Sequence, residues 1–450
     1  MESLNDSIFV YVHIMKNITL LLLLFLAHWT SAQKTQNDKL DQLFDHIESS
    51  SEGSGAIAIL KNGETIYERG YGNRLYPAQK NNSNTLFRIG SITKTYTSTL
   101  IMMAVEEGKI KLSDKLSSYY PDFEQSQEIT VENLLRHSSG LFNFTNSPTL
   151  PLFMTQEKSK EELLEILKYG NNQFEPGTQH QYSNTNYVLL GFILEDIYQK
   201  PYEEILQEKI LNPVGLKNTY FGLAIDTLKN QAYSYVKVNG WIRSTNSHMS
   251  IPQGAGAITA TATEVALFYD ALFSGKLLSD KSLNLMTEFE EGFGIGLFPV
   301  PYKDKTFIGH NGGIDAFQSI AAYQKEDKLQ ITLLCNAVNY TKNDILLNVL
   351  EILYEDQYTL PKFGDLVTLT DEALNKFTGT YASPSFPLDI SITVKEAKLM
   401  AQATGQSAFV LTAIDSNTFV FKAAGIELQF DTENDQMTLS QGGRTFTLTR

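Results

Sequence analysis

The chain has 450 residues, 42% of them apolar and 19% charged, which is the composition of ordinary globular domains and not of disordered or fibrous chains. A formal net charge of −15, with no long basic run, excludes nucleic acid as a partner, because phosphate binding needs a basic face. The single cysteine, Cys335, excludes an internal disulfide and a cysteine-built metal cluster; within "LQITLLCN" it reads as a small core hydrophobe.

In chain order, "MKNITLLLLLFLAHWTSAQ" (Met15 to Gln33) places Lys16 before an apolar run and ends on small residues at Ala32. That is the pattern of a cleaved leader over residues 1–32, too short for a comfortable membrane span. An uncleaved anchor is the alternative. Glu2 and Asp6 suit a leader badly, which makes Met15 a candidate start. No cysteine follows the apolar run, so a lipid anchor is not expected. The expected location is periplasmic or secreted, with no stable membrane span after cleavage.

A polar helix is expected around Leu40 to Ile47. In "GAIAILKNGETIYERGYG" two apolar runs flank Asn62-Gly63, the strongest short hairpin signal. "FRIGSITKTYTSTLIMMAVEEGKI" (Phe87 to Ile110) follows, with Tyr96, Leu100, Ile101, Ala104 and Val105 at helical spacing and Gly108 as a stop. Residues from about 110 to 290 read as mostly helical with long loops. Then "GFGIGLF", "KTFIGHNG", "FQSIAAYQ" and "LQITLLCN" read as strands, and "NDILLNVLEILYE" as a helix. Strands at both ends with helices between them predict one sheet assembled from N- and C-terminal pieces. From about Thr370, short alternating runs such as "ISITVKEAKLMAQ" and "IELQFDTEN" predict a small antiparallel barrel or sandwich without a catalytic constellation. The expected domains are therefore a catalytic domain over 33–360 and a small β domain over 370–450.

For the chemistry, Gly-x-Ser-x-Gly and His-Glu-x-x-His are both absent. What remains is Ser91 with Lys94, three apart where an apolar helix begins. A serine hydroxyl needs a neighbouring base, and positions i and i+3 share a helix face, so the Lys94 amine can reach it. Burial in a dry pocket lowers a lysine pKa and frees its lone pair. The helix N-terminus supplies N–H groups to a developing oxyanion. The pair alone is weak, since Ser-x-x-Lys also occurs at Ser31–Lys34 and Ser234–Lys237.

Two further segments make the pattern specific: Tyr182-Ser183-Asn184 and His310-Asn311-Gly312. In order, separation and flanks, these three motifs resemble the serine β-lactamase and penicillin-binding-protein superfamily, in its class C β-lactamase, DD-peptidase, D-aminopeptidase and esterase branch. "ITVENLLRHSSGL", "LNPVGLKNT" and "GAGAITATATEVALF" match as well, and the resemblance covers roughly residues 40 to 350.

The resemblance implies an α+β catalytic domain, an antiparallel sheet flanked by helices plus an all-helical region, followed by the small all-β domain. It implies Ser91 as the nucleophile, with Lys94 and Tyr182 sharing its proton. Asn184 would bind the substrate amide and orient Lys94, and the backbone N–H groups of Ser91 and Gly313 would form an oxyanion hole. His310 stands where many members have lysine and would donate to Tyr182 or the substrate; Asn311 replaces a threonine. Asp315 would repel a substrate carboxylate if it faced the pocket. No metal and no cofactor is implied.

The implied substrate is an amide or ester, most readily a D-amino-acid peptide, with peptidoglycan stem peptides among the candidates. A carboxylesterase or a β-lactamase using the same site is the alternative, and an acylated but non-turning-over sensor or scaffold is a rival of another class. His137 reads as structural, and His46, His180 and His248 as surface or packing residues.

Overall fold

The structure is a computed structural model that describes residues 33–450, save 239, 362, 364–368, 396, 405–407, 422–424 and 442–443. The expected leader at 1–32 lies outside the described residues. The described chain divides into two compact units, residues 51–342 and residues 33–50 with 343–450.

The first unit is built on an antiparallel sheet. The main path of the sheet consists of β1 (Gly53–Lys61), β2 (Glu64–Tyr71), β3 (Phe298–Tyr302), β4 (Lys305–Ile314), β5 (Phe317–Gln324) and β6 (Leu329–Val338). They pair in the order β3-β4-β5-β6-β1-β2, so the first strands join the edge of the last, as expected for a sheet assembled from both ends. Asn62 and Gly63 both have positive φ (54° and 79°), which a two-residue hairpin requires to match the strand twist. β1 and β6 are buried along nearly their whole length, and so read as continuous apolar runs instead of alternating ones.

One expected strand is corrected. "GFGIGLF" is extended only from Phe298, because Gly292 (φ 85°) and Gly296 (φ 65°) turn the backbone out of the β region.

Three helices matter for the site: α1 (Thr93–Glu106), α2 (Asn184–Tyr198) and α3 (Ala262–Phe273). α1 is buried over almost every residue despite its threonines and serine. Those hydroxyls are satisfied by neighbouring elements: Thr95 donates to Gly296 O (2.8 Å), Thr97 to Gly254 O (2.6 Å), and Ser98 pairs with the Tyr187 hydroxyl (3.1 Å). α3, capped by Thr261, packs against β1, β5 and β6. Tyr96 of α1 stacks on Phe268 of α3 at 3.6 Å between ring centroids, joining the helices into one core.

In the second unit a helix spans residues 33–49 and another Lys342–Leu353. Among the described residues nine strands follow: β7 (Gly379–Ser383), β8 (Phe386–Lys395), β9 (Lys398–Ala403), β10 (Phe409–Val410), β11 (Thr412–Ala413), β12 (Thr418–Phe421), β13 (Ile426–Asp431), β14 (Gln436–Gln441) and β15 (Arg444–Thr449). The ladder runs β10-β9-β8-β7-β15-β14-β13-β12-β11, and its two ends are consecutive in the chain, so the sheet is a nearly closed barrel. Alternation puts Leu399, Ala401, Leu428, Phe430, Met437 and Leu439 inside. Among the described residues no helix is long and apolar enough to cross a membrane.

Candidate active site

The segment before α1 meets β4 at glycines. Gly90 has φ +55°, and a Cβ there would lie 2.8 Å from Gly313 N; a Cβ on Gly312 would lie 2.1 Å from Ile89 O. Side chains at either position would force the segments apart. The contact is closed by Ser319, whose hydroxyl donates to Ile89 O at 2.8 Å. A single 3₁₀ turn, Gly90–Ile92, then carries Ser91 into α1, with Lys94 one turn on.

Lys94 is fully buried, and its Nζ meets Ser91 Oγ at 3.1 Å, Asn184 Oδ1 at 2.8 Å and Ala255 O at 2.7 Å. Burial drives its pKa well below the ordinary lysine value. The two shorter contacts are to oxygens that only accept, which uses two hydrogens of a neutral amine. The third contact is to a hydroxyl, which can donate to the remaining lone pair. A deprotonated Lys94 therefore fits all three partners, and its lone pair faces the Ser91 proton.

Asn184, the first residue of α2, has its orientation set from behind. Its Nδ2 donates to Thr145 Oγ1 (3.0 Å) and Asn143 Oδ1 (3.2 Å), leaving Oδ1 for Lys94. Tyr182 lies under the Lys94 amine, with Nζ 4.9 Å from its ring centre. Burial raises the phenol above its ordinary pKa, against the opposing effect of its hydrogen bond with Ser91.

His310 of β4 is buried, its ring 6.3 Å from that of Tyr182 and 5.0 Å from Phe298. Its Nδ1 is 2.5 Å from Asn311 O, an acceptor, so Nδ1 carries the hydrogen. Burial above all pushes its pKa down to about 3, and a proton on Lys94 would push the same way, so the ring is neutral and Nε2 is a bare acceptor. That is the reverse of the donor expected at this position. Asn311 is exposed, on the opposite side of the pleat.

Asp315 was expected to repel a carboxylate if it faced the pocket; the structure instead ties its carboxylate to Arg88 and Ser247. Asp315 Oδ2 pairs with Arg88 Nη1 at 2.8 Å, both side chains essentially buried, while Oδ1 accepts from Ser247 N (2.8 Å) and Ser247 Oγ (2.7 Å). Its charge is compensated inside the protein. Arg88 in turn donates to Ser247 O (2.9 Å) and Leu223 O (3.1 Å).

The structure thus brings Ser91, Lys94, Tyr182 and Asn184 together, with His310 beside Tyr182 and Gly313 against Gly90. Arg88, Ala255, Asn143 and Thr145 were missed. Ala255 acts through its carbonyl and leaves no side-chain signal; Arg88 stood three residues before Ser91 with no visible partner. His180 rests on Arg136 O (2.9 Å) and His46 on Pro361 O (2.7 Å), both packing roles. Among the described residues no His, Cys, Asp and Glu side chains cluster as a metal site.

This arrangement of fold and motifs is that of a known family, and comparison with known proteins bears it out. The sequence model of the Beta-lactamase family matches residues 40–355, and the chain belongs to that family, as a serine hydrolase. It is 28% identical over 323 residues to the teichoic acid D-alanine hydrolase of Staphylococcus aureus, covering 67% of this chain and 77% of that protein. A penicillin-binding protein of Bacillus subtilis is 23% identical over 436 residues, 90% of this chain and 95% of that protein. The crystal structure of the D-amino acid amidase from Ochrobactrum anthropi SV3 superposes with a TM-score of 0.64 at 27% identity, covering 71% of this chain and 99% of that one.

Proposed function

We propose that the protein hydrolyses an amide or ester of a D-amino acid through a Ser91 acyl-enzyme. The observation that carries this reading is the buried Lys94 amine, held by Asn184 Oδ1 and Ala255 O with its third contact on Ser91 Oγ. Burial acts oppositely on the two proton carriers. It lowers Lys94 and raises Tyr182, so the resting pair is an amine and a phenol, and the base is the lysine.

Ser91 Oγ attacks the substrate carbonyl as its proton passes to Lys94. The backbone N–H groups of Ser91 and Gly313 receive the oxyanion. The C–N or C–O bond then breaks, and the leaving amine or alcohol takes a proton relayed through the Tyr182 phenol. Water attacks the ester by the same route in reverse, releasing the acid and restoring Ser91.

Two features favour a neutral leaving side over a free carboxylate. Lys-Thr-Gly is absent from the sequence, and His310 is neutral. Arg88 is already paired with Asp315. The D-configuration rests on similarity to the D-amino acid amidase and the teichoic acid D-alanine hydrolase. Residues 1–32 are proposed to export the enzyme, and N-terminal sequencing of the secreted form tests this.

Turnover is to be measured on D-alanine amide, a D-alanine ester, their L-enantiomers, a D-Ala-D-Ala peptide and penicillin, with intact mass followed in parallel. The expected result is turnover of the D-amide or D-ester with a transient mass increase, abolished in Ser91→Ala. Preference for the L-enantiomers, or a stable adduct with no turnover of any substrate, overturns the reading.

A further inference from the structure

Tyr182 reaches the site in an unusual way. Ser91 and Lys94 are carried by a helix start and Gly313 by a strand, but residues 179–183 belong to neither helix nor strand. Ser183, just before α2, is extended (φ −138°, ψ 121°). A phenol on irregular backbone keeps its position only if other groups hold it.

One residue does so from three directions. His137 O accepts from Gln181 N at 2.8 Å, and His137 Nδ1 accepts from Ser183 N at 3.1 Å, so the backbone N–H groups of the residues on either side of Tyr182 are both tied to His137. The imidazole lies on the Tyr182 ring itself, with centroids 4.4 Å apart and planes 31° from parallel. On its other flank are Tyr187 (5.1 Å) and Phe293 (5.8 Å). His137 takes φ +57°, a left-handed conformation that costs a non-glycine residue, and that conformation is part of the arrangement presenting carbonyl and ring to one strip of chain. A backbone N–H only donates, so Nδ1 holds the lone pair and Nε2 the hydrogen. Nε2 is buried with no hydrogen-bond partner among the described residues. A buried, unsatisfied N–H and a strained φ are two local penalties at one residue, and such penalties concentrate where a site demands a particular geometry.

We infer that His137 is the positioning residue of Tyr182, a three-point clamp that holds the phenol at Ser91 without itself touching the reacting atoms. This rests on the proton-relay role given to Tyr182 above. Misplacing a proton carrier by about 1 Å lowers turnover about a hundredfold without a matching loss of substrate binding. Asparagine is the informative replacement, because its Oδ1 sits where Nδ1 sits and it tolerates positive φ.

The test is a double-mutant cycle on the full chain, with rates expressed per Ser91 labelled by a fluorophosphonate so that unfolded molecules do not count. His137→Ala is expected to lower kcat about a hundredfold with KM within about threefold, and His137→Asn to recover about tenfold of that loss. In a Tyr182→Phe background, His137→Ala should change kcat by less than about threefold, because the group it positions is gone. A merely structural role predicts the opposite, the full hundredfold loss in both backgrounds, and that result overturns the inference. So does a His137→Ala enzyme that turns over within about threefold of the parent per labelled serine. If His137→Ala does not fold, His137→Asn takes its place in the same cycle, and its loss in the two backgrounds is judged by the same comparison. If Tyr182→Phe leaves kcat unchanged, it is the relay role of Tyr182 that fails, and the clamp loses its object with it.

Discussion

The Arg88–Asp315 pair is the sharpest place to test the structural reasoning. Arg88 lies three residues before Ser91 and Asp315 two residues after Gly313, so the pair ties together the two segments proposed to supply the oxyanion hole. Both side chains are essentially buried. Asp315→Asn keeps the shape and both Ser247 contacts nearby but leaves the Arg88 cation with only the carbonyls of Ser247 and Leu223. Arginine cannot shed its proton in response. Removing one partner of a buried pair costs about 3–5 kcal/mol, a large share of the roughly 5–15 kcal/mol that holds a domain folded. Replacing both partners, as in Arg88→Met with Asp315→Asn, leaves no buried charge and should lose at least about 2 kcal/mol less than the sum of the singles. The measurement is urea unfolding read by the loss of Ser91 labelling, which reports on the catalytic unit alone. The same proteins are assayed on a D-Ala-D-Ala peptide and its C-terminal amide. Because the Asp315 charge is compensated, the acid-to-amide ratio of kcat/KM should move less than about threefold in Asp315→Asn. A single variant losing under 1 kcal/mol, strict additivity, or a tenfold gain on the acid substrate would each refute the argument.

Lys94→Gln should reduce Ser91 acylation about a thousandfold or more, and in the parent the acidic limb of kcat/KM should fall well below pH 10, since the rate needs the deprotonated amine and burial lowers its pKa. A limb centred near 10.4, the ordinary lysine value, would show that Lys94 is not desolvated. The neutral, buried His310 makes a stability prediction. Its pKa is about 3 when folded and about 6.5 when unfolded, so between those values the unfolded chain binds the extra proton. Stability contributed by its neutrality therefore rises with pH across that window, by up to about 1.4 kcal/mol per pH unit, and is fully present above it. His137, also depressed by burial, adds to the slope. His310→Asn should flatten the dependence, and parallel curves for parent and variant refute the buried-neutral assignment. Asn311→Thr restores a hydroxyl on the exposed side of β4 and should raise kcat/KM on the free-acid peptide relative to its amide about tenfold; an unchanged ratio means Asn311 does not meet the substrate.

The sequence by itself determined whatever depends on local pattern. The Asn62-Gly63 hairpin, the apolar helix after Ser91 and the C-terminal barrel strands were legible because turn chemistry and periodicity act over a few residues. Ser91 with Lys94 was legible for the same reason, as two side chains on one helix turn. Tyr182, Asn184 and His310 were legible only through their resemblance to a family, since nothing local joins them to Ser91. Only the tertiary structure decided how the charges are settled. Asp315 reads as a free acid in "GGIDAF", yet a guanidinium from more than two hundred residues away neutralises it. His310 reads as a donor, but the Asn311 carbonyl and complete burial turn its free nitrogen into an acceptor. Lys94 becomes a base through burial, and its amine is oriented by the Ala255 carbonyl, which no side chain announces. His137 carries no catalytic signal in "RHSSGL", and meets Tyr182 only once the loops close. Protonation and charge depend on solvent exclusion and on partners distant in the chain, and both come into being only when the fold packs.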